Sequence, residues 1–224
     1  MGFFGKRSLK YKAMYYLLYF TIFSAIPLLF IIGIVYFNAG TVYYPDIKFY
    51  FINSGFDVST NKLFFIGFFI PFAVKLALFP FHTWLPEAHV EASTEGSMLL
   101  SGIMLKLGFF GVVRFCLSFF PETTLEIAPL IIAATTVGAI TTSFSMYKQL
   151  DIKKIIAYSS VVHMNIANVG FFCGSQTGIQ GSLLFSFSHG VSSAGLFCCV
   201  GFLHDKLKTR NLMEVSGLCS YMPR

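Results

Sequence analysis

Charge is what this chain has least of. Of its 224 residues only 12% are charged, while 55% are apolar. A water-soluble domain carries about 25% charged residues. The deficit excludes a soluble enzyme and makes the chain an integral membrane protein. No G-x-G-x-x-G or Walker sequence occurs, so nucleotide chemistry belongs to a partner. The cysteines Cys116, Cys173, Cys198, Cys199 and Cys219 form no C-x-x-C pair, and three of them fall inside apolar runs. That argues against metal or cluster ligation and for small apolar packing residues. No cleavable signal is evident, because the apolar run after the basic Met1–Lys12 segment has full spanning length.

Long apolar runs are what the chain has instead. A spanning helix needs about 20 mostly apolar residues. Segments 14–37, 63–86, 96–115, 127–147, 155–173 and 181–203 qualify, which predicts an all-α polytopic transmembrane bundle of about six spans. The connection at 38–62 is the longest and most polar, with Pro45, Asn53, Gly55 and Asp57. The other connections are short, so successive helices run antiparallel.

The net charge of +6 reads as topology. The side holding the N-terminus carries Lys6, Arg7, Lys10, Lys12, Lys148, Lys153, Lys154, Lys206, Lys208, Arg210 and Arg224; the other side has Lys48, Lys62 and Arg114. By the positive-inside rule both termini face the cytoplasm or mitochondrial matrix, and nucleic acid is not the partner.

Within the spans, acids are missing where cations are present. Lys75 lies in LFFIGFFIPFAVKLALFPFHTWLP and Lys106 in GSMLLSGIMLKLGFFGVVRF, and neither stretch contains a carboxylate. A lysine at the bilayer centre costs roughly 2.5–3.5 kcal/mol on insertion scales, so it marks ion movement, proton relay or a pairing with another chain. His163 and His189 lie in the last two spans. At 1.5 Å per residue the four groups sit roughly 12–18 Å into their helices, close to the midplane of a ~30 Å core. A row at one depth runs along the membrane plane. Lysine loses its charge when desolvated and histidine titrates near neutrality, so Lys75, Lys106, His163 and His189 are the candidate proton-transfer residues. The plainer alternatives are packing histidines and a structural ion pair.

Pro71 and Pro80 bracket Lys75 and predict a broken helix there. A mid-helix proline frees a carbonyl four residues earlier, which for Pro80 is that of Leu76. Broken helices at the midplane hold water or ions in transporters. The following FHTWLPEAHVEASTEGS reads as a short loop at the basic face, where Glu87, His89, Glu91 and Glu95 are placed to collect protons. No helix is expected there to hold His82, Glu87 and His89 on one face as a metal site. Ser159, Ser160, Ser186, Ser188, Ser192 and Ser193 flank the histidines as water holders or small packing residues.

FAVKLALFPFHTWLPEAHVEASTEGSMLLSGIMLKLGFFGVVRF, KKIIAYSSVVHMN and SFSHGVSSAGLFCCVGFLHDKLKTRNL occur in this order. Together they resemble the subunit-4 family of proton-pumping NADH:ubiquinone oxidoreductase, respiratory complex I. The resemblance runs from about residue 7 onward and implies an antiporter-like subunit of about fourteen helices. In it Lys75 and Lys106 match the lysines of the seventh and eighth helices, and His163 and His189 match histidines of the central hydrophilic axis. The whole chain, 1–224, then corresponds to roughly helices six to eleven of one membrane domain. The fifth-helix glutamate and the twelfth-helix ionisable residue are not in it, and the ends favour a subunit encoded in pieces.

The resemblance further implies no cofactor in this chain, with NADH, FMN, iron–sulfur clusters and ubiquinone on partner subunits. The implied partners are other membrane-arm subunits, chains supplying the missing helices, and membrane lipids. The implied location is the mitochondrial inner membrane, with a bacterial or thylakoid membrane as the alternative. The helix pattern alone also fits a component of a Na⁺/H⁺ antiporter, or a non-conducting structural module.

Overall fold

The computed structural model describes residues 10–53 and 56–215. Lys6, Arg7, Gly55, Cys219 and Arg224 lie outside the described residues. Among the described residues eight helices follow one another: α1 Lys10–Ala39, α2 Tyr44–Asn53, α3 Val58–Lys75, α4 Trp84–Glu91, α5 Thr94–Leu117, α6 Pro121–Tyr147, α7 Ile152–Phe172 and α8 Gln176–Leu207. Six of them, α1, α3 and α5 to α8, are long and apolar enough to cross a membrane. The chain is a multi-pass helical membrane protein, as its composition predicts.

Local chemistry sets the helix ends. Ser93 and Ser175 cap α5 and α8 by accepting from the amides of Gly96 and Gly178. Asp151 caps α7 through the Lys153 amide, and Pro121 opens α6. In a medium without water a polar side chain needs a partner, and a carbonyl of its own helix is the nearest one. Thr135 and Thr142 of α6 accordingly donate to the carbonyls of Ile131 and Gly138, four residues back.

Two expectations are corrected. The 38–62 connection is not irregular throughout, because it contains α2. Tyr44, Ile47 and Phe51 fall on one face of that helix, and Phe51 is buried among Phe64, Phe119 and Phe120. Pro45 and Asp46 sit in its first turn, where both are favourable, so they mark a helix start. The stretch around LPEAHVEA is not a loop either. It forms α4, and Trp84, Leu85, Ala88 and His89 are buried between α1 and α7.

The bundle is closed by neighbours in sequence, α6 on α7 and α7 on α8, and by α1 against α3 and α4. α5 lies between α3 and α8. Very close approach is bought by glycine: a Cβ on Gly111 of α5 would sit 2.2 Å from the Phe72 ring of α3.

Candidate functional site

The predicted broken helix is present, but its chemistry differs from the proline argument. α3 ends at Lys75, before Pro80 is reached. The Ala77 amide donates to the Val74 carbonyl (3.1 Å) and the Leu78 amide to the Ala73 carbonyl (3.0 Å). Ala77 has φ +53°. This is a Schellman cap with alanine in the left-handed position. The Val74 carbonyl also accepts the Trp84 indole N–H at 3.0 Å. The first residue of α4 therefore stitches the second half of the broken span to the end of the first, and Leu76 is not the key carbonyl.

Lys75 is the last residue of α3 and its side chain is exposed on the described chain. It has no hydrogen bond or ion pair among the described residues. Its Cβ lies against Gly108 of α5, two residues from Lys106.

Lys106 is reached by a second irregularity. Within α5, Leu100–Met104 and Val112–Leu117 are π-helical, so the regular ladder is interrupted on both sides of Leu105–Gly111. Single π turns of this kind concentrate at functional sites. The Lys106 ammonium donates to the Ser101 carbonyl, in the first π segment. Its Nζ also lies 3.0 Å from His189 Nδ1 on α8. An ammonium only donates, so Nδ1 accepts and the ring proton sits on Nε2. Nε2 of His189 is buried without a partner. The contact fits because residue 190 is glycine: a Cβ there would fall 3.1 Å from Lys106 Cε.

His163 of α7 meets His189 edge to face, with ring centroids 5.4 Å apart at 90°. His163 is itself exposed on the described chain, with Phe185 on one side. So Lys106, His189 and His163 form one contiguous array across α5, α8 and α7. Lys75 stands on the neighbouring helix and is joined to the array through backbone packing only. Residues on adjacent membrane helices often need a bridging water, but Lys106 and His189 touch directly.

The remaining polar candidates divide. Glu87 pairs with Lys154 at 3.2 Å near the bundle end. Glu95 lines an outer groove of about 860 Å³ together with Lys106, Phe187 and Val191. Glu91 is buried. His89 is fully buried, stacked flat on Phe197 of α8 at 4.5 Å, and neither ring nitrogen has a partner. Lys153, His189 and Lys106 are its charged and titratable neighbours.

Five of the six flanking serines bond to their own helices. Ser159, Ser160, Ser186, Ser192 and Ser193 donate to carbonyls three or four residues back on their own helices. Asn165 and Asn168 of α7 were missed. Both are fully buried, donate to Val161 and Met164 carbonyls, and leave their Oδ1 atoms unpaired. Their signal was three-residue spacing on the face of α7 that packs inward.

One end of the bundle gathers the basic residues. The Ile152 amide donates to the Arg210 carbonyl and the Leu212 amide to the Leu150 carbonyl, joining the α6–α7 turn to the segment after α8. Arg210 donates to the Val90 carbonyl and Lys153 to that of Ala92, so both hold the end of α4. At the opposite end Lys62 pairs with Glu126. No cluster of metal-ligating side chains occurs among the described residues.

Fold and array define a class: a polytopic helical membrane protein with one broken span and a half-buried lysine–histidine contact between helices. All 224 residues match the family model described as NADH:quinone oxidoreductase/Mrp antiporter, TM, and the chain belongs to that family. NADH-ubiquinone oxidoreductase chain 4 of Prototheca wickerhamii is 43% identical over 223 residues, covering 100% of this chain and 42% of that protein. Chain 4 of Marchantia polymorpha is also 43% identical, with 100% and 44% covered. Respiratory complex I from Thermus thermophilus contains a chain that superimposes with a TM-score of 0.87 at 27% identity, over 98% of this chain and 46% of that one. A chain of the Mrp complex from a Dietzia species shares the fold, with a TM-score of 0.78 at 23% identity over 88% of this chain and 22% of that one. The chain thus spans less than half the length of these two curated relatives.

Proposed function

We propose that the chain is the central part of a proton-translocating membrane-arm subunit of respiratory complex I, corresponding to roughly helices six to eleven. It carries protons between titratable groups while NADH oxidation by ubiquinone proceeds on partner subunits that hold FMN, iron–sulfur clusters and quinone. One observation supports this most: a lysine and a histidine in direct contact between two membrane helices, with a second histidine against the first. A proton on Lys106 has an acceptor, Nδ1 of His189, at hydrogen-bond distance. His189 Nε2–H is then the donor to the next group. Lys75 feeds the same array from the helix break, and its carboxylate partner comes from outside the described residues, on another membrane-arm chain or segment. His89 gives the array a buried branch toward Lys153 and the basic end of the bundle. That end, with both termini, faces the matrix of the mitochondrial inner membrane.

The test is proton uptake into sealed vesicles holding the assembled complex, with NADH oxidation measured in parallel. Lys106→Met is expected to depress translocation and coupled turnover while the complex still assembles. Wild-type translocation by that variant would overturn the reading. The Mrp likeness favours one alternative, Na⁺/H⁺ exchange. It predicts sodium uptake driven by a pH gradient in the same vesicles, and the complex I reading predicts none.

A further inference from the structure

The region opposite the basic end holds an apolar cavity of about 320 Å³, at the lower end of ligand-sized cavities. Leu28 and Val35 of α1, Phe68 and Phe72 of α3, and Phe115 and Phe119 at the end of α5 line it, and no lining side chain is polar. Leu28 and Val35 are two helical turns apart, so the cavity runs about 10 Å along the span. Ile32 and Val42, 40% and 66% exposed, form its mouth on the outer face.

A cation stands at its rim. The Arg114 guanidinium lies 3.8 Å over the Tyr44 ring, and the Tyr44 hydroxyl donates to the Arg114 carbonyl at 3.0 Å. The same ring packs on the cavity residues Phe119 and Phe115, at 5.3 and 6.1 Å. Arg114 is exposed and has no carboxylate partner among the described residues. Asp46, the acid of α2, is engaged with the Thr41 hydroxyl instead. Arg114 is eight residues beyond Lys106 and so about 12 Å from it along α5. With Lys106 near the midplane, that is the headgroup boundary of a ~30 Å core.

We propose that this is a binding site for one anionic phospholipid of the surrounding bilayer, with its phosphate on Arg114 and one acyl chain in the cavity. Charge complementarity selects the occupant. A guanidinium held flat by an aromatic ring presents its N–H fork to phosphate in a bidentate geometry. A wholly apolar channel leading inward from that fork fits an acyl chain. A membrane helix laid over the mouth would instead leave the guanidinium facing apolar side chains.

The experiment uses the native complex containing this chain, stripped in detergent and re-equilibrated with micelles of phosphatidylglycerol and phosphatidylcholine. Bound lipid is counted by native mass spectrometry. The wild type is expected to retain phosphatidylglycerol about tenfold over phosphatidylcholine at this site. Arg114→Gln should bring the ratio to about one, and Arg114→Lys should keep part of it. Ile32→Trp should lower retention of both lipids by blocking the mouth, and Lys62→Gln, a cation removed at the same end, should change neither. Equal retention of the two lipids by the wild type, or an unchanged ratio in Arg114→Gln, overturns the site. So does normal retention in Ile32→Trp, or a neighbouring subunit's side chain found filling the cavity in the assembled complex.

Discussion

The two intramembrane lysines face one problem and meet it differently. Lys106 sits inside a continuous span whose backbone is loosened by π turns, and it finds a carbonyl and an imidazole within the chain. Lys75 sits where a span stops altogether, at the carbonyl end of α3, with its side chain exposed and no acid beside it. A helix C-terminus favours a nearby cation by about 0.3–1 kcal/mol, well short of the roughly 2.5–3.5 kcal/mol that a central lysine costs. The difference teaches that Lys106 finds its partners among the described residues and Lys75 does not, which is why the proposed function assigns Lys75 a carboxylate from elsewhere. Each apolar run carries one lysine and no acid, which hides that division.

The largest effect that would break this comparison is on transport. Lys75→Met and Lys106→Met are both expected to lower proton uptake into vesicles on the order of tenfold or more, as loss of a general acid–base group does. They should separate in the stability of the purified chain by itself, in detergent. Lys106→Met strands His189 Nδ1 in the interior, at about 1 kcal/mol, near the usual value for a polar contact between membrane helices. Its melting temperature should fall, whereas Lys75→Met breaks no contact among the described residues and should leave it unchanged. Equal destabilisation of the purified chain by both variants would show that Lys75 has a structural partner within it.

Next in size is the seam that holds the two lysine helices together. Gly111→Leu places side-chain atoms where the Phe72 ring already lies, and overpacking of this kind costs about 1–3 kcal/mol. A fall in the yield of assembled complex, read on native gels, measures it. Gly190→Ala is its counterpart at the Lys106–His189 contact. A Cβ 3.1 Å from Lys106 Cε forces the lysine to give way by a few tenths of an ångström. Proton uptake should drop severalfold with assembly intact, and an unchanged rate would mean that the direct contact is not on the route.

What the sequence made legible follows from what its residues do alone. Lys75, Lys106, His163 and His189 are conspicuous because ionisable groups are rare in apolar runs, and the structure brings three of them into contact. The break was legible from Pro71 and Pro80, but its form was not. A Schellman cap on Ala77 leaves no residue signal, since glycine is the usual occupant and alanine stands in its place. The π turns in α5 are equally silent, because no residue type in LSGIM or VVRFCL is specific to them. α2 and α4 were hidden by the polar residues that start and end them. His89 was read as a loop residue for the same reason, and Asn165 and Asn168 went unseen because amides do not titrate.

A smaller effect probes the stitch across the break. The Trp84 indole N–H is a second donor to the Val74 carbonyl, which the Ala77 amide already satisfies. Trp84→Phe keeps most of the buried ring and removes one hydrogen bond, about 1 kcal/mol. The expected reading is a modest loss of thermal stability of the complex, with proton uptake reduced less than in either lysine variant. A loss as large as theirs would make Trp84 part of the transport machinery.

The smallest predicted change has the opposite sign and tests the break itself. Ala77 holds φ +53° in the turn that ends α3, a conformation that costs an L-residue with a Cβ roughly 1–2 kcal/mol. Glycine relieves that cost but gives the unfolded chain more freedom, which takes back about 0.5–1 kcal/mol. Ala77→Gly should therefore stabilise the complex by about 0.5–1 kcal/mol, seen as a small rise in inactivation temperature. Lys75 is only two residues away, so a merely local relief of strain leaves transport unchanged. Ala77→Val supplies the control, because a β-branched residue at positive φ is a genuine outlier and must destabilise. If glycine lowered stability and valine were tolerated, the chain between Lys75 and Trp84 would not turn through a left-handed residue, and the capped break would have to be replaced by a continuous kinked helix.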